Sequence, residues 1–155
     1  MLEKPILILD FDGVIVDGIQ EYWASSRQTC LNIISAKEKE IISLPREIPS
    51  AFKTMRPWVH HGWEMVILAA ECSDKTSKLN LKGIENFSNN YSIECSLALE
   101  KWGWTPSQLQ EALNQTRREA ISTNFNQWLS YHQPFSLVIQ HLKTLEKEGI
   151  EFAVL

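Results

Sequence analysis

The stretch Pro5-Ile6-Leu7-Ile8-Leu9-Asp10-Phe11-Asp12-Gly13 constrains this chain more than any other part of it. Four consecutive aliphatic residues are too few for a helix and too uniformly apolar for a half-exposed strand, so Ile6–Leu9 predicts a strand buried on both faces of a parallel sheet. Asp10 then falls at the carboxyl end of that strand. Open α/β sheets gather their ligands at this edge, where the departing loops leave a crevice. In extended chain residues i and i+2 point the same way, which lets Asp10 and Asp12 face one pocket while Phe11 turns into the protein. Gly13 frees the backbone to bend sharply behind them. Two carboxylates this close repel each other and need a cation or a shared proton between them. A hard divalent ion such as Mg²⁺ suits an all-oxygen site and offsets the charge of a phosphate group. One carboxylate can attack phosphorus to form an acyl phosphate, and the other can protonate the departing oxygen and later take a proton from water.

Two plainer readings stand beside this one: an acidic turn without a ligand, and a calcium loop. Asp10, Asp12 and Glu21 occupy positions 1, 3 and 12 of an EF-hand loop, but Val14 stands at position 5 and Ile15 at position 6, where glycine is needed.

The string Asp10-Phe11-Asp12-Gly13-Val14-Ile15-Val16-Asp17, set just after an N-terminal apolar strand, resembles motif I of the haloacid dehalogenase-like (HAD) phosphohydrolase superfamily. That family pattern is four apolar residues followed by Asp-x-Asp-Gly-[Thr/Val]-[Leu/Ile]-x-[Asp]. The resemblance implies that Asp10 is the nucleophile and Asp12 the general acid/base. It also implies Mg²⁺ bound at the motif, on the Asp10 carboxylate and at Asp12 through its backbone carbonyl. The dehalogenase branch carries a non-acidic residue where Asp12 stands, so phosphoryl transfer from a small phosphorylated metabolite is the implied reaction. The implied fold is α/β, a Rossmann-like parallel core with an inserted all-helical cap. Residues 1–17 would give the first core strand and motif I, 18–132 the cap, and 133–155 a core helix and a second strand.

The 155 residues suit one domain, or a small core with an insertion. A net charge of −4 gives no footprint for nucleic acid, and no Lys/Arg-dense block marks a membrane surface. The apolar runs are shorter than a membrane span, which makes the cytoplasm the expected compartment. Cys30, Cys72 and Cys95 lack Cys-x-x-Cys spacing and read as reduced, partly buried thiols.

Helical periodicity begins at Gln20 and runs to Ser35, with Trp23, Cys30 and Ile34 on one face. Asp17 caps this helix or contacts ligand. Lys37-Glu38-Lys39-Glu40 reads as a solvated charge run, and Arg56-Pro57 restarts a helix with a stripe through Trp58, Val59, Gly62, Val66 and Ala70. Arg56 reads as a surface residue or a phosphate contact. His60 and His61 diverge by about 100° on a helix and do not readily share a metal. Glu71 to Asn90 reads as a long polar connection, and Ile93 to Trp102 as a short helix ended by Gly103. Thr105, Pro106 and Gln108 form the clearest helix start in the chain, with Leu109, Ala112, Leu113, Thr116, Ala120 and Ile121 as its packed face. Arg117 and Arg118 read as solvated. Phe125, Trp128, Leu129 and Tyr131 are expected in the core of the insertion, and most of the six tryptophans on packed helical stripes. A helix from Pro134, with His141 on its apolar stripe, leads through Gly149 into a second strand at Ile150–Leu155.

This helix-glycine-strand unit resembles the segment that precedes HAD motif II, which opens with Ser or Thr immediately after the strand. The sequence ends at Leu155, and the lysine or arginine of motif III and the acidic residues of motif IV are likewise absent. The resemblance therefore covers nearly the whole chain but only the first half of a typical family member. A missing C-terminal half or a second chain is expected to complete the core. The alternatives are a non-catalytic remnant serving as a helical binding module and, for a complete protein, a phosphomutase.

Overall fold

A computed structural model of the chain describes residues 5–35 and 42–155. The charge run Lys37–Glu40 lies outside the described residues. The fold is mixed α/β. In order, the elements are β1 (Ile6–Leu9), β2 (Val16–Asp17), α1 (Ile19–Ile33), α2 (Ser50–Met55), a 3-10 turn (Arg56–Trp58), α3 (Gly62–Ser73), α4 (Lys78–Asn89), α5 (Tyr91–Trp102), α6 (Pro106–Ser130), β3 (Gln133–Pro134), α7 (Ser136–Lys147) and β4 (Glu151–Val154). No helix among the described residues is long and apolar enough to cross a membrane.

The chain divides into two compact units. One joins the described residues up to Glu21 with Asn126–Leu155, and the other is Tyr22–Phe125. Both divisions fall inside helices, α1 and α6, the second close to a kink at Asn124 (φ −154°, ψ 82°).

In the first unit β1 and β4 pair in parallel, Ile6 opposite Glu151 and Leu9 opposite Val154. A separate antiparallel pair joins Val16 to Pro134 and Asp17 to Gln133. Ile6–Leu9 is thus a strand of a parallel pair, but it is not buried. Ile6 is 62% and Ile8 61% exposed, since a sheet of two strands has only one neighbour for each and little to cover its faces. Phe11, expected inside, is 44% exposed. Helix α7 has no fully buried residue: Val138, Leu142 and Leu145 of the expected apolar stripe are half-buried, while Leu137 and His141 are exposed, with His141 Nδ1 2.8 Å from the Leu137 carbonyl.

The second unit has its own core, with α3 at its centre. Every residue from Glu64 to Glu71 is buried, the pattern of a helix enclosed on all sides. Phe52 and Met55 of α2, Leu79 and Phe87 of α4, Ala98 of α5, and Leu109 and Leu113 of α6 are among the other buried core residues. Trp23 meets Phe52 edge to face with ring centroids 5.0 Å apart. Helices α1 and α6 are tied together by Thr29 Oγ1 donating to Thr116 Oγ1 at 3.0 Å.

Four expectations for this unit need correction. The stretch from Glu71 to Asn90 is not a connection but the end of α3 and all of α4. Ser77 caps α4 by accepting from the Asn80 N–H at 3.1 Å, and Asn80 Nδ2 donates to the carbonyls of Glu71 and Asp74, so the polar residues fix a turn between two helices. Arg56-Pro57 forms a 3-10 turn, and α3 begins only after His61. Ile121 is 38% and Phe125 52% exposed, and of the aromatic cluster expected past Asn124 Leu129 is 49% exposed while Trp128 and Tyr131 are only half-buried. The tryptophans are divided: Trp23 and Trp102 are buried, Trp63, Trp104 and Trp128 half-buried, and Trp58 exposed. The capping box at α6 forms as its sequence indicates. Gln108 N–H donates to Thr105 Oγ1 at 3.3 Å and Thr105 N–H to Gln108 Oε1 at 3.1 Å.

The uneven burial has a direct mutational consequence. Leu113→Ala should cost about 2–5 kcal/mol of stability by opening a cavity, whereas Leu81→Ala should stay within about 0.5 kcal/mol. Urea unfolding followed by near-ultraviolet circular dichroism of the tryptophans measures both.

Candidate functional site

Asp10 follows β1 directly, at the carboxyl end shared with β4 in the parallel pair. The ladder continues one step past the strands, where Leu155 N–H donates to the Leu9 carbonyl at 2.9 Å. Asp10 is exposed and its Oδ1 accepts the Phe11 N–H at 2.7 Å, which turns the carboxylate back on the chain leaving the strand. The Phe11 carbonyl accepts from Ile15 N–H at 2.9 Å and Val16 N–H at 3.1 Å, and Gly13 N–H donates to the Val16 carbonyl at 2.7 Å. These bonds curl residues 11–16 into one tight loop that presents Asp12, half-buried, two residues after Asp10. Gly13 takes φ +77°, and a Cβ there would meet no atom within 4 Å, so glycine is required for its backbone angle and not for space. Asp17 accepts the Ile19 N–H at 2.9 Å and so starts α1, the capping alternative of the two read from sequence.

No group of three or more His, Cys, Asp or Glu among the described residues is arranged to hold a metal ion. Asp10 and Asp12 supply hard oxygen donors, the kind Mg²⁺ takes one or two at a time while keeping water and substrate phosphate as its other ligands. The donor chemistry of the loop therefore fits that ion and does not fit zinc, which prefers nitrogen and sulfur.

Sequence reasoning missed a second set of carboxylates, inside the helical unit. Glu64, Glu71, Asp74 and Glu94 are all buried. Glu64 Oε2 accepts the His60 N–H at 2.7 Å and the Tyr91 hydroxyl at 3.1 Å. Glu71 accepts from the Trp102 indole at 3.3 Å and lies 3.8 Å from Lys101, which also bonds Asp74; Lys78 pairs with Glu94 at 3.0 Å. The legible signal was the seven-residue spacing of Glu64 and Glu71, which puts two acids on one side of a helix otherwise made of core residues. The two free thiols nearest this cluster are unreactive by environment. Burial pushes Cys72 and Cys95 up to about 12.

Comparison with family models, with curated proteins and with solved structures finds no match for this chain.

The buried cluster sets a pH dependence. Burial raises the Glu71 carboxyl above its ordinary range, partly offset by Lys101 and the Trp102 indole. A raised carboxyl stabilises the fold below its unfolded value, and that contribution is lost as pH rises through the folded value. Burial also pushes Asp74 up, but hydrogen bonds from Lys101 and from Thr76 outweigh it and leave Asp74 lowered. Its contribution is present above the unfolded value and lost as pH falls through the folded one. Glu71→Gln should therefore raise the melting temperature relative to wild type more at about pH 8 than at about pH 5, whereas Asp74→Asn should cost stability near neutrality and progressively less in acid. Thermal unfolding from about pH 2 to about pH 8 checks both signs.

Proposed function

We propose that this chain carries the nucleophile-bearing part of a Mg²⁺-dependent phosphohydrolase of the HAD type, acting on a small phosphorylated metabolite through an aspartyl-phosphate. The observation that carries the reading is Asp10-Phe11-Asp12-Gly13 on a tight loop at the carboxyl end of a strand in a parallel pair. Asp10 is exposed and ready to attack phosphorus, forming the Asp10–phosphorus bond as the bond to the leaving oxygen breaks. Asp12 delivers a proton to that oxygen and then takes one from the water that splits the acyl phosphate, which releases phosphate and restores both carboxyls. Mg²⁺ on Asp10 and Asp12 would offset the negative charge of the phosphoryl group. By the same resemblance the helical unit is a cap; the net charge and the short apolar runs of the sequence favour the cytoplasm as the working compartment, with neither nucleic acid nor membrane as a partner.

Phosphoryl transfer depends on cationic groups around the equatorial oxygens. The bare β1–β4 pair points to where they come from. Further strands from a C-terminal half or a second chain would cover the exposed Ile6 and Ile8 and bring those cations. That uncovered sheet also favours a second reading, a helical binding module with a silent catalytic remnant. The assay is hydrolysis of an aryl phosphate with and without Mg²⁺ by this chain, alone and joined to the residues or partner that complete its sheet. The phosphatase reading expects Mg²⁺-dependent turnover in the completed protein, hydroxylamine-labile phosphate on Asp10, and a loss of at least about 10³-fold in Asp10→Asn with the fold retained. Full activity in Asp10→Asn removes Asp10 as nucleophile. Silence of the completed wild-type protein leaves the binding module.

A further inference from the structure

Among the described residues the helical unit opens a cleft of about 530 Å³, the size of a small-molecule site. One wall is the stretch 43–49 that leads into α2, and the other is the end of α3, the turn after it and Asn80 of α4. The first wall is neither helix nor strand, yet it is tied on two sides. Ser43 N–H donates to the Ser73 carbonyl at 3.1 Å, and beside it Ile42 bridges Asp74. From α1, Arg27 Nε donates to the carbonyls of Leu44 at 3.1 Å and Pro45 at 2.8 Å, and the Trp23 indole to that of Arg46 at 3.2 Å. Pro45 and Pro49 fix two backbone angles of the same stretch. The opposite wall is held by Asn80, whose amide NH₂ spans the carbonyls of Glu71, Cys72 and Asp74. The cleft is therefore shaped before a ligand enters, and less order remains to be imposed on binding.

The lining is divided by chemistry. Pro45, Ile48, Pro49 and Cys72 are apolar, the Cys72 thiol staying neutral because burial pushes it up to about 12. Glu47 comes from one wall and Lys75 from the other, and both are exposed. Among the described residues neither side chain makes a hydrogen bond or an ion pair, with each other or with any other group. Ser43 Oγ and Asn80 Oδ1, likewise without a partner among the described residues, add a donor and an acceptor. An anion drawn to Lys75 meets repulsion from Glu47, and a cation drawn to Glu47 meets repulsion from Lys75. A molecule that carries both signs satisfies both, and its apolar part can lie on the proline and isoleucine surface.

From this arrangement we propose that the cleft binds a zwitterion with an apolar body, an α-amino acid or short peptide with a leucine-like side chain, its carboxylate on Lys75 and its ammonium on Glu47. The site belongs wholly to the Tyr22–Phe125 unit and uses neither Asp10 nor Asp12. It stands or falls separately from the phosphatase reading.

The test is a titration of leucine, and separately of leucyl-leucine, into the full chain at constant ionic strength, followed by NMR at the backbone N–H groups of Ser43 and Lys75 and the side-chain amide of Asn80. Saturable shifts at these groups are expected, and the tighter of the two ligands shows whether the source is an amino acid or a peptide. N-acetylation removes the ligand's ammonium and amidation removes its carboxylate. Each should weaken binding of the tighter ligand about three- to tenfold, between the value of an exposed ion pair and that of a hydrogen bond to a charged group. Glu47→Gln and Lys75→Gln change exposed side chains and should keep native circular dichroism while lowering affinity by the same factor. Glu47→Gln should also lose the preference for the free over the N-acetylated ligand, since the two effects report one contact. Absence of saturable shifts with both ligands, equal affinity for the blocked forms, or unchanged affinity in both folded variants would overturn the site. Loss of turnover in Asp10→Asn has no bearing on it.

Discussion

Two neighbouring strands that run the same way cannot be joined by a tight turn, and the pairing of β1 with β4 imposes that condition on nearly the whole chain. Ile6 lies opposite Glu151, so everything between them is crossover. In ordinary α/β folds one helix makes such a connection. Here α7 alone can serve as the last leg, and the residues before it form a second unit with a core of its own. The same pairing fixes the direction of β1, and with it the end of the strand at which Asp10 emerges. Register and direction together make that loop the sheet's carboxyl-end loop.

The two units are stabilised in different ways. In the helical unit α3 is surrounded, and burial of Met65 to Ala70 with Phe52, Phe87, Leu109 and Leu113 supplies the apolar contribution that offsets chain ordering. In the other unit Ile6, Ile8, Leu137, Val154 and Leu155 all remain more than half exposed. Among the described residues both edges of the parallel pair also lack a strand neighbour, since β1 and β4 pair with each other alone. Exposed edges with apolar faces are the combination that recruits further strands. This unit therefore gains most from addition of chain, while the helical unit gains little.

What could be read from sequence tracks how local its cause is. The strand at Ile6–Leu9, the turn at Gly13, the αL ending at Gly103 and the capping box at Thr105 each depend on a few adjacent residues, and each was legible. Burial of β1 was inferred from composition alone. Exposure depends on whether other strands are present to cover it, which four aliphatic residues cannot encode. The stretch after Glu71 looked like loop because Ser, Asp, Asn and Lys dominate it. Its helix rests on Leu79 and Phe87 reaching the core and on Asn80 tying a turn across three carbonyls, contacts that become visible only once α3 is in place. Glu47 and Lys75 are too far apart in sequence for any spacing rule to unite them.

The acidic residues separate into two kinds, and the difference bears on what each can do. Glu64, Glu71, Asp74 and Glu94 are buried and held by donors from the protein: an indole, a phenol, two lysines and backbone N–H groups. Those donors are fixed, so these carboxylates are committed to structure, and moving one would leave a buried partner unsatisfied. Asp10 is exposed and accepts the N–H of the next residue, which orients the carboxylate while leaving oxygen lone pairs directed at solvent. Water solvates such a group at little cost and leaves it readily. A nucleophile or a ligand for a hard cation needs this condition, because its oxygen must exchange partners during the reaction and not only hold them. The four buried acids of the helical unit are tied to structure, whereas at Asp10 the fold leaves a carboxylate facing water, the condition that chemistry requires.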